Sequence, residues 1–535
     1  MPKLKQVDAA LSFDYWLYSL LAIGCLLRLH QYLLDRSLWI DEAFLALNIT
    51  ERTYSELFQP LTYNQATPVG FLVVEKFLTQ IFNNGEYALR LLPFLSSLLA
   101  LFLFFKLARI LFHRRSLAIP IALGLFVLCD RLIYYSAEVK QYSTDVAIAV
   151  LICLLAFRLK SERLSWTTTA GFAVVAALSV WISHPSVFIL AGTGLCLMVP
   201  AILERSRQLI KYAVAYGFGA VSFILFYQIS LKGLVSNSQL QESWGGSHNA
   251  FMPLPPTSLT ELKWFFDTFF TFFDYPVGIA LQGIAALYFL LGCVVLFKTR
   301  RFTFSMLVLP LALVLLASGL QKYPFKGQLL LFIVPFVLLI IGAGGEEIFN
   351  KIRSGSQLIA LLLVLLLFSH PLYYAALNLK DPSSPPRFEY QRVREDIKPV
   401  LGYLQDHWQK GDTLYLYYAA QYAFRYYAER YGFDIKLPPP SATYQGDWFE
   451  PALVSDPPHL IVGSVTRYEP DAFEPDLRQI SQYRRVWTLF AHVHDRRSSI
   501  DEETVLLRLL AQVGQQVDEF QRLEASVYLF EMDER

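Results

Sequence analysis

Cysteine and charge are both scarce in this sequence. The five cysteines, Cys25, Cys129, Cys153, Cys196 and Cys293, all fall inside apolar runs, and no two stand at a metal-ligand or redox spacing. Each reads as a small buried hydrophobe rather than part of a disulfide framework. Only 17% of the residues are charged, whereas 54% are hydrophobic. Soluble domains carry about 25% charged and 45–50% apolar residues, so the surplus must sit somewhere other than an aqueous core. A basic excess is also lacking: 46 Lys and Arg face 45 Asp and Glu, for a net charge of +1. That balance excludes a nucleic-acid partner. The opening MPKLKQVDAALSFDYW has no small-residue cleavage site, so the first apolar run reads as a retained anchor.

Long apolar stretches are what the chain has in abundance, at a mean hydropathy of +0.38. A helix that crosses the hydrocarbon core needs about 20 largely apolar residues at about 1.5 Å rise each. That rule predicts eleven spans, near 14–33, 86–110, 117–135, 141–158, 166–183, 186–203, 211–231, 277–297, 303–319, 328–345 and 357–377. The run at 68–82 is shorter, follows Pro68 and carries Glu75 and Lys76. It reads as an interfacial or re-entrant helix, with a twelfth span as the competing count.

Basic residues orient the layout, because Lys and Arg collect in cytoplasmic loops. Alternate connections hold Lys3 and Lys5; Arg109, Arg114 and Arg115; Arg158, Lys160 and Arg163; Arg205, Arg207 and Lys211; Lys298, Arg300 and Arg301; and Lys351 and Arg353. The N-terminus is therefore expected in the cytoplasm, and everything after Leu379 outside. The predicted organisation is a transmembrane domain over 1–379, with outer-face loops at 34–85 and 232–276, and an exported domain over 380–535. The latter opens on the Pro/Ser linker DPSSPPRFEY and then reads as soluble α/β. EDIKPVLGYLQDHW and AQYAFRYYAERYG have helical period, and GDTLYLYY, HLIVGSV, RRVWTLFAHV and SVYLFEM read as strands. ETVLLRLLAQVGQQVDEF is expected as one long amphipathic helix. No glycine-rich phosphate loop, nucleophile elbow or metal-spaced His/Cys set appears in this domain, and no chemistry is assigned to it.

Polar residues at the outer ends of spans are the candidates for function. In DRSLWIDEAFLALNITERTYSEL the adjacent Asp41 and Glu42 are flanked by Trp39 and Phe44. Two readings are open: a partly desolvated carboxylate acting as general base or metal ligand, or acids favouring the start of a juxtamembrane helix. In DRLIYYSAEVKQYSTDV, Glu138 and Lys140 stand beside Tyr134, Tyr135 and Tyr142, suited to hold an acceptor and a phosphate or merely to form a solvated ion pair. Asp130 and Asp145 flank them. Lys322 and Lys326 bracket the turn in QKYPFKGQ, either as phosphate-binding point charges or as snorkelling interfacial lysines. His184 caps or lines the tight SHPS turn. The long loop after Lys232 holds Gly245-Gly246, Trp244 and His248, the pattern of a binding loop leading into an amphipathic helix.

The order of these features resembles the GT-C class of membrane glycosyltransferases. Within it, the branch of protein O-mannosyltransferases and the lipid A aminoarabinose transferase is the most similar. LWIDEAF and YSAEVKQYS carry the resemblance. It implies a polytopic α-helical membrane protein of the GT-C type with a C-terminal soluble α/β domain, in a bacterial inner or plasma membrane. The implied reaction is inverting transfer of a hexosyl or pentosyl group from a polyprenyl-phosphate sugar to a glycan, lipid or protein acceptor at the outer face. Asp41 would then activate the acceptor hydroxyl with Glu42 assisting, and Glu138 and Lys140 would match the acidic and basic positions of the second loop. Lys140, Tyr142, His184, His248, Lys322 and Lys326 would touch substrate. Relatives commonly show a His-Pro-Pro-like stretch where this chain has Ala66-Thr67-Pro68. That departure leaves a divalent cation and the acceptor open. A flippase of lipid-linked saccharides, a glycan polymerase or ligase, and an anchored sensor are the rival readings. A transporter would place its charges on broken helices near the midplane within repeated halves, and no repeat is visible.

Overall fold

A computed structural model describes residues 2–160, 164–235, 238–246, 248–380, 395–433, 459–466, 473–493 and 501–533. The expected linker at 381–390 lies outside these. By packing, the chain divides into two compact units. One comprises Met1–Leu34, Tyr54–Pro60 and Ala66–Pro382, and the other Asp35–Thr53, Leu61–Gln65 and Ser383–Arg535. Two pieces of the first long loop thus pack with the C-terminal third of the chain.

The first unit is helical. Its elements are α1 (Pro2–Leu33), α3 (Val69–Phe82), α4 (Glu86–Leu111), α5 (Ala118–Leu128), α6 (Asp130–Tyr134), α7 (Tyr142–Leu159), α8 (Trp166–Ile182), α9 (Ser186–Leu203) and α10 (Leu209–Phe226). They continue with the short α11 (Lys232–Val235) and α12 (Ser238–Gly245), then α13 (Leu259–Asp274), α14 (Gln282–Thr299), α15 (Arg301–Gly319), α16 (Val334–Ile352), α17 (Gln357–Leu366) and α18 (Ser369–Lys380). Each of the eleven expected stretches overlaps one of these helices. Among the described residues seven helices are long and apolar enough to cross a membrane, or nine if the bent pairs α5–α6 and α17–α18 each count as one span. α8 is apolar but only 17 residues long. α3, at 14 residues, falls short of a span.

The apolar stripes face outward, which identifies the environment. On α14, Leu287, Leu290, Val294 and Phe297 recur at helical spacing, and each is about half exposed, at 50–52%. A soluble protein buries such a stripe, whereas a lipid bilayer covers it. The chain is an integral membrane protein. The stretch from Gly327 through α16 is the centre of the unit, 89% buried against 22% for α10. Glycines let its neighbour approach: a Cβ on Gly292 of α14 would run into the Ile340 carbonyl, and one on Gly344 into the Tyr288 carbonyl. Small residues at such crossings bring helix backbones together where no hydrophobic effect drives them.

The second unit holds α2 (Ile40–Glu51), α19 (Ile397–His407), α20 (Gln421–Tyr427), α21 (Glu474–Ile480) and α22 (Glu502–Leu510) around a five-stranded sheet. Its strands are β1 (Thr413–Leu416), β2 (Leu460–Val462), β3 (Arg485–Ala491), β4 (Gly514–Arg522) and β5 (Ala525–Met532), in the order β2-β1-β3-β5-β4. β1 pairs in parallel with β2 and β3, and β5 pairs antiparallel with β3 and β4. The expected soluble α/β domain is present, with one correction. The helix expected over ETVLLRLLAQVGQQVDEF stops at Leu510, and its second half is strand β4. Val513, Val517 and Phe520 continue the helical spacing, but the ladder to β5 overrides local period. At the start of β4, a Cβ on Gly514 would lie 2.7 Å from the Glu531 carbonyl oxygen, so only glycine fits against β5.

Candidate active-site residues

α2 begins where the LWIDEAF sequence suggests. Trp39 precedes it in extended conformation and supplies no side-chain cap, so Asp41 and Glu42 in the first turn meet the exposed backbone N–H groups and the positive end of the helix dipole. Asp41 is half-buried, and Gln65 Nε2 donates to its Oδ1 at 3.1 Å. Glu42 is fully buried. Consecutive helix residues diverge by roughly 100°, so the two carboxylates do not point to one ligand position. Asn48 binds the returning strand of the loop: it donates to the Phe44 and Thr62 carbonyls at 2.8 and 3.3 Å and accepts from Thr62 N and Oγ1 at 3.1 and 3.0 Å.

Helices α19 and α20 of the same unit supply the other half of this support. Tyr422 of α20 meets Phe44 edge-on at 4.7 Å and Tyr63 at 5.1 Å, while Phe44 and Tyr63 stack at 4.9 Å. Arg425 clasps Glu51 through Nε and Nη2, each at 2.7 Å, and Lys398 pairs with Asp35 at 2.9 Å. The Tyr427 hydroxyl accepts from Leu38 N at 2.9 Å. Gln65, Asn48, Tyr422, Arg425 and Tyr427 escaped the sequence reading. All but Gln65 and Asn48 lie more than 350 residues from their partners, beyond any local signal.

In the membrane unit a second polar cluster forms. α5 and α6 are bent by 53° at Cys129, and the chain then turns through Glu138, in extended conformation, to the start of α7. Glu138, Lys140 and Tyr142 are all buried, at 2%, 5% and 8% exposure, so this is no solvated surface pair. Asp130 and Arg131 form a buried ion pair at 2.6 Å, and the Arg131 guanidinium lies 5.0 Å from the centre of the Tyr275 ring. The Tyr275 hydroxyl meets that of Tyr135 at 2.9 Å and donates to Gln328 Oε1 at 2.7 Å. Burial pushes Tyr275 above the ordinary tyrosine range, with Glu138's charge a smaller contributor in the same direction. Gly327, at φ +55°, makes room: a Cβ there would stand 2.6 Å from the Tyr275 ring.

Lys326, beside Gly327, donates to the His248 carbonyl, and Phe325 N donates to the Ala250 carbonyl at 2.7 Å. The loop that holds His248 is thereby tied to the QKYPFKGQ turn, so the structure brings Lys326 and His248 together. Burial lowers the Lys326 pKa. Lys322 is exposed at the end of α15. His184 sits in the turn between α8 and α9, 5.6 Å from the Phe226 ring, and burial pushes its pKa down to about 4. Asp41 and Glu42 belong to the second unit, and the remaining candidates to the first. Among the described residues no three His, Cys, Asp or Glu side chains converge as a ligand set, so a divalent cation has no evident three-residue cage there.

No family model and no curated protein matches the sequence. Among solved structures the chain is similar to ArnT from Cupriavidus metallidurans in the apo state, with a TM-score of 0.52 at 11% identity over 96% of this chain and 98% of that one. The same protein bound to undecaprenyl phosphate gives a TM-score of 0.53 at 11% identity over the same shares. The oligosaccharyltransferase of Archaeoglobus fulgidus, in complex with zinc and sulfate, gives 0.47 at 13% identity over 95% of this chain and 72% of that one, a likeness too slight to bear on the fold. The ArnT match shows the fold: this is a GT-C architecture, as the loop motifs implied.

Two outcomes follow. Replacing Tyr422 with Ala removes the ring that meets both Phe44 and Tyr63, a loss of about 3 kcal/mol for a buried aromatic. Amide exchange over 40–51 should rise accordingly, with β3 and β5 unaffected. His184 takes a proton in the unfolded chain near pH 6.5 but in the folded one only near about 4. The unfolded state therefore gains protons first, and stability is lost as pH falls through that window. The Tm in detergent should drop between these pH values, and His184→Phe should flatten the drop.

Proposed function

We propose that this chain of GT-C fold is an inverting glycosyltransferase. It would move a sugar from a polyprenyl-phosphate donor to an acceptor hydroxyl at the membrane face away from the cytoplasm. The observation that carries the reading is the setting of Asp41. Its carboxylate stands half-buried at the first turn of α2, oriented by Gln65, while its neighbour Glu42 is wholly enclosed. A structural acid at a helix start needs no such orienting amide, and a general base does. The fold adds support, since the similar ArnT structure holds undecaprenyl phosphate.

The chemistry asks for little else. The acceptor oxygen attacks the anomeric carbon, its proton passes to Asp41, and the sugar–phosphate bond breaks with its electron pair leaving on the phosphate. One displacement inverts the centre, so no enzyme nucleophile is required. A phosphate leaving group gains from cations more than from a proton, and Lys140, Lys322 and Lys326 are the candidates to supply them. Lys326 stands exposed beside the His248 loop, where an anion can reach its ammonium. Glu138, buried among Tyr135, Tyr142 and Tyr275, is proposed as the second acid, and Tyr142, His184 and His248 as substrate contacts. The polyprenyl tail stays in lipid while its head group reaches water, which is why the charged residues of such an enzyme belong at helix ends.

Asp41→Asn keeps shape and hydrogen bonds but cannot take the proton. Transfer from a polyprenyl-phosphate sugar should fall about 10²- to 10⁴-fold, the usual contribution of a general base. Membrane expression and Tm should stay at the wild-type level. Undiminished transfer in this variant would remove Asp41 from the mechanism.

A further inference from the structure

Arg28 is the side chain that the proposed reaction leaves unexplained. It lies five residues before the end of α1 at Leu33 and is only 1% exposed. A buried guanidinium is costly unless its charge is compensated. Among the described residues, however, Arg28 meets no carboxylate. Its Nη1 donates to the Gly24 carbonyl at 3.1 Å and its Nη2 to the Phe126 carbonyl at 3.3 Å. Its Cζ lies 5.5 Å from the centre of the Phe126 ring, and Nε is left without a partner.

The Phe126 carbonyl is not an arbitrary acceptor. In a continuous helix it would take the N–H of Asp130, but Cys129 is extended (ψ 109°) and breaks the ladder there. Phe126 thus carries one of the orphaned carbonyls at the C-terminal end of α5, where the helix dipole is negative. A cation at this point both satisfies the carbonyl and meets the dipole, which is how Arg28 is compensated without an acid. On its far side Arg28 lines a cavity of about 10 Å³ with Ser97, Ala100, Phe126, Leu132, Ser143 and Val146. That is about the room one water needs. Ser97 donates its hydroxyl to the Phe94 carbonyl and Ser143 to the Tyr135 carbonyl, both at 2.7 Å, so both offer only lone pairs elsewhere.

We propose that Arg28 is a positioning residue for the connection that carries Glu138 and Lys140. It caps the broken end of α5 and so fixes the 53° bend from which α6 and that connection depart. Through the cavity it also backs Leu132 and Ser143, and Ser143 holds the Tyr135 carbonyl. The functional consequence rests on the glycosyltransferase reading; the structural one does not.

The test is amide exchange of the full-length protein in nanodiscs, paired with transfer kinetics, for Arg28→Met, Arg28→Gln and Arg28→Lys. Loss of the charge should raise exchange over 128–142 about tenfold, the factor that roughly 1.4 kcal/mol makes. Lysine, which keeps a cation at the helix end, should restore most of the protection. The KM for the polyprenyl-phosphate sugar should rise with the exchange in the Met and Gln variants and recover in the Lys variant. If Met does not fold, Gln carries the comparison. Unchanged exchange over 128–142, or an equal rise in every span, would overturn the proposal. A local rise in a protein whose wild type transfers no sugar would sink the proposed reaction and leave the positioning role standing.

Discussion

Lipid offers no hydrogen bonds, so a polar group inside a bilayer is costly wherever the protein does not partner it. That constraint decides where charge stands in this chain. The long helices carry apolar stripes outward, and polar side chains collect where a helix breaks or ends. Arg131 is paired with Asp130 at the α5–α6 break, and Tyr275 holds Tyr135 and Gln328 from two other connections. Arg28, which meets no acid among the described residues, is compensated by the freed end of α5. Glu138 is thus buried beside a network whose bonds join Asp130 to Arg131 and Tyr275 to Tyr135 and Gln328, unlike a solvated surface pair.

The α/β unit gains a role from the same logic. A segment containing two carboxylates in its first turn would be poorly held as a free loop. Here Asn48 zips its two strands together, while Tyr422, Arg425, Tyr427 and Lys398 hold it from the far end of the sequence. If Asp41 is the proposed base, its precise placement depends on such support. Within this unit the helices α19 and α20 serve as the support for α2.

Much of this was legible in the sequence because it follows from local period. Apolar runs of twenty residues, the helix start in LWIDEAF, and the short apolar and aromatic runs TLYL and RVWTLFA each declare their element. The left-handed Gly432 ends the helical stretch after α20 as its sequence implied. β4 was not legible, since Val513, Val517 and Phe520 fit a helix until the ladder with β5 is known. The support of α2 was hidden for a different reason: Arg425 and Glu51 are 374 residues apart. Arg28 belongs to no motif in the sequence, and only the break at Cys129 gives it a task. Asp41 was singled out by residue type and neighbours, but its orienting partner Gln65 carries no motif.

The proposed reaction requires the Asp41 segment and the Glu138 cluster each to face away from the cytoplasm. Labelling of single cysteines by a membrane-impermeant maleimide in intact cells tests it most directly. Thr53 and Lys322, both exposed, should label from outside, and Arg205 and Lys351 only after lysis. Protection of Thr53 or Lys322 until lysis would contradict the account.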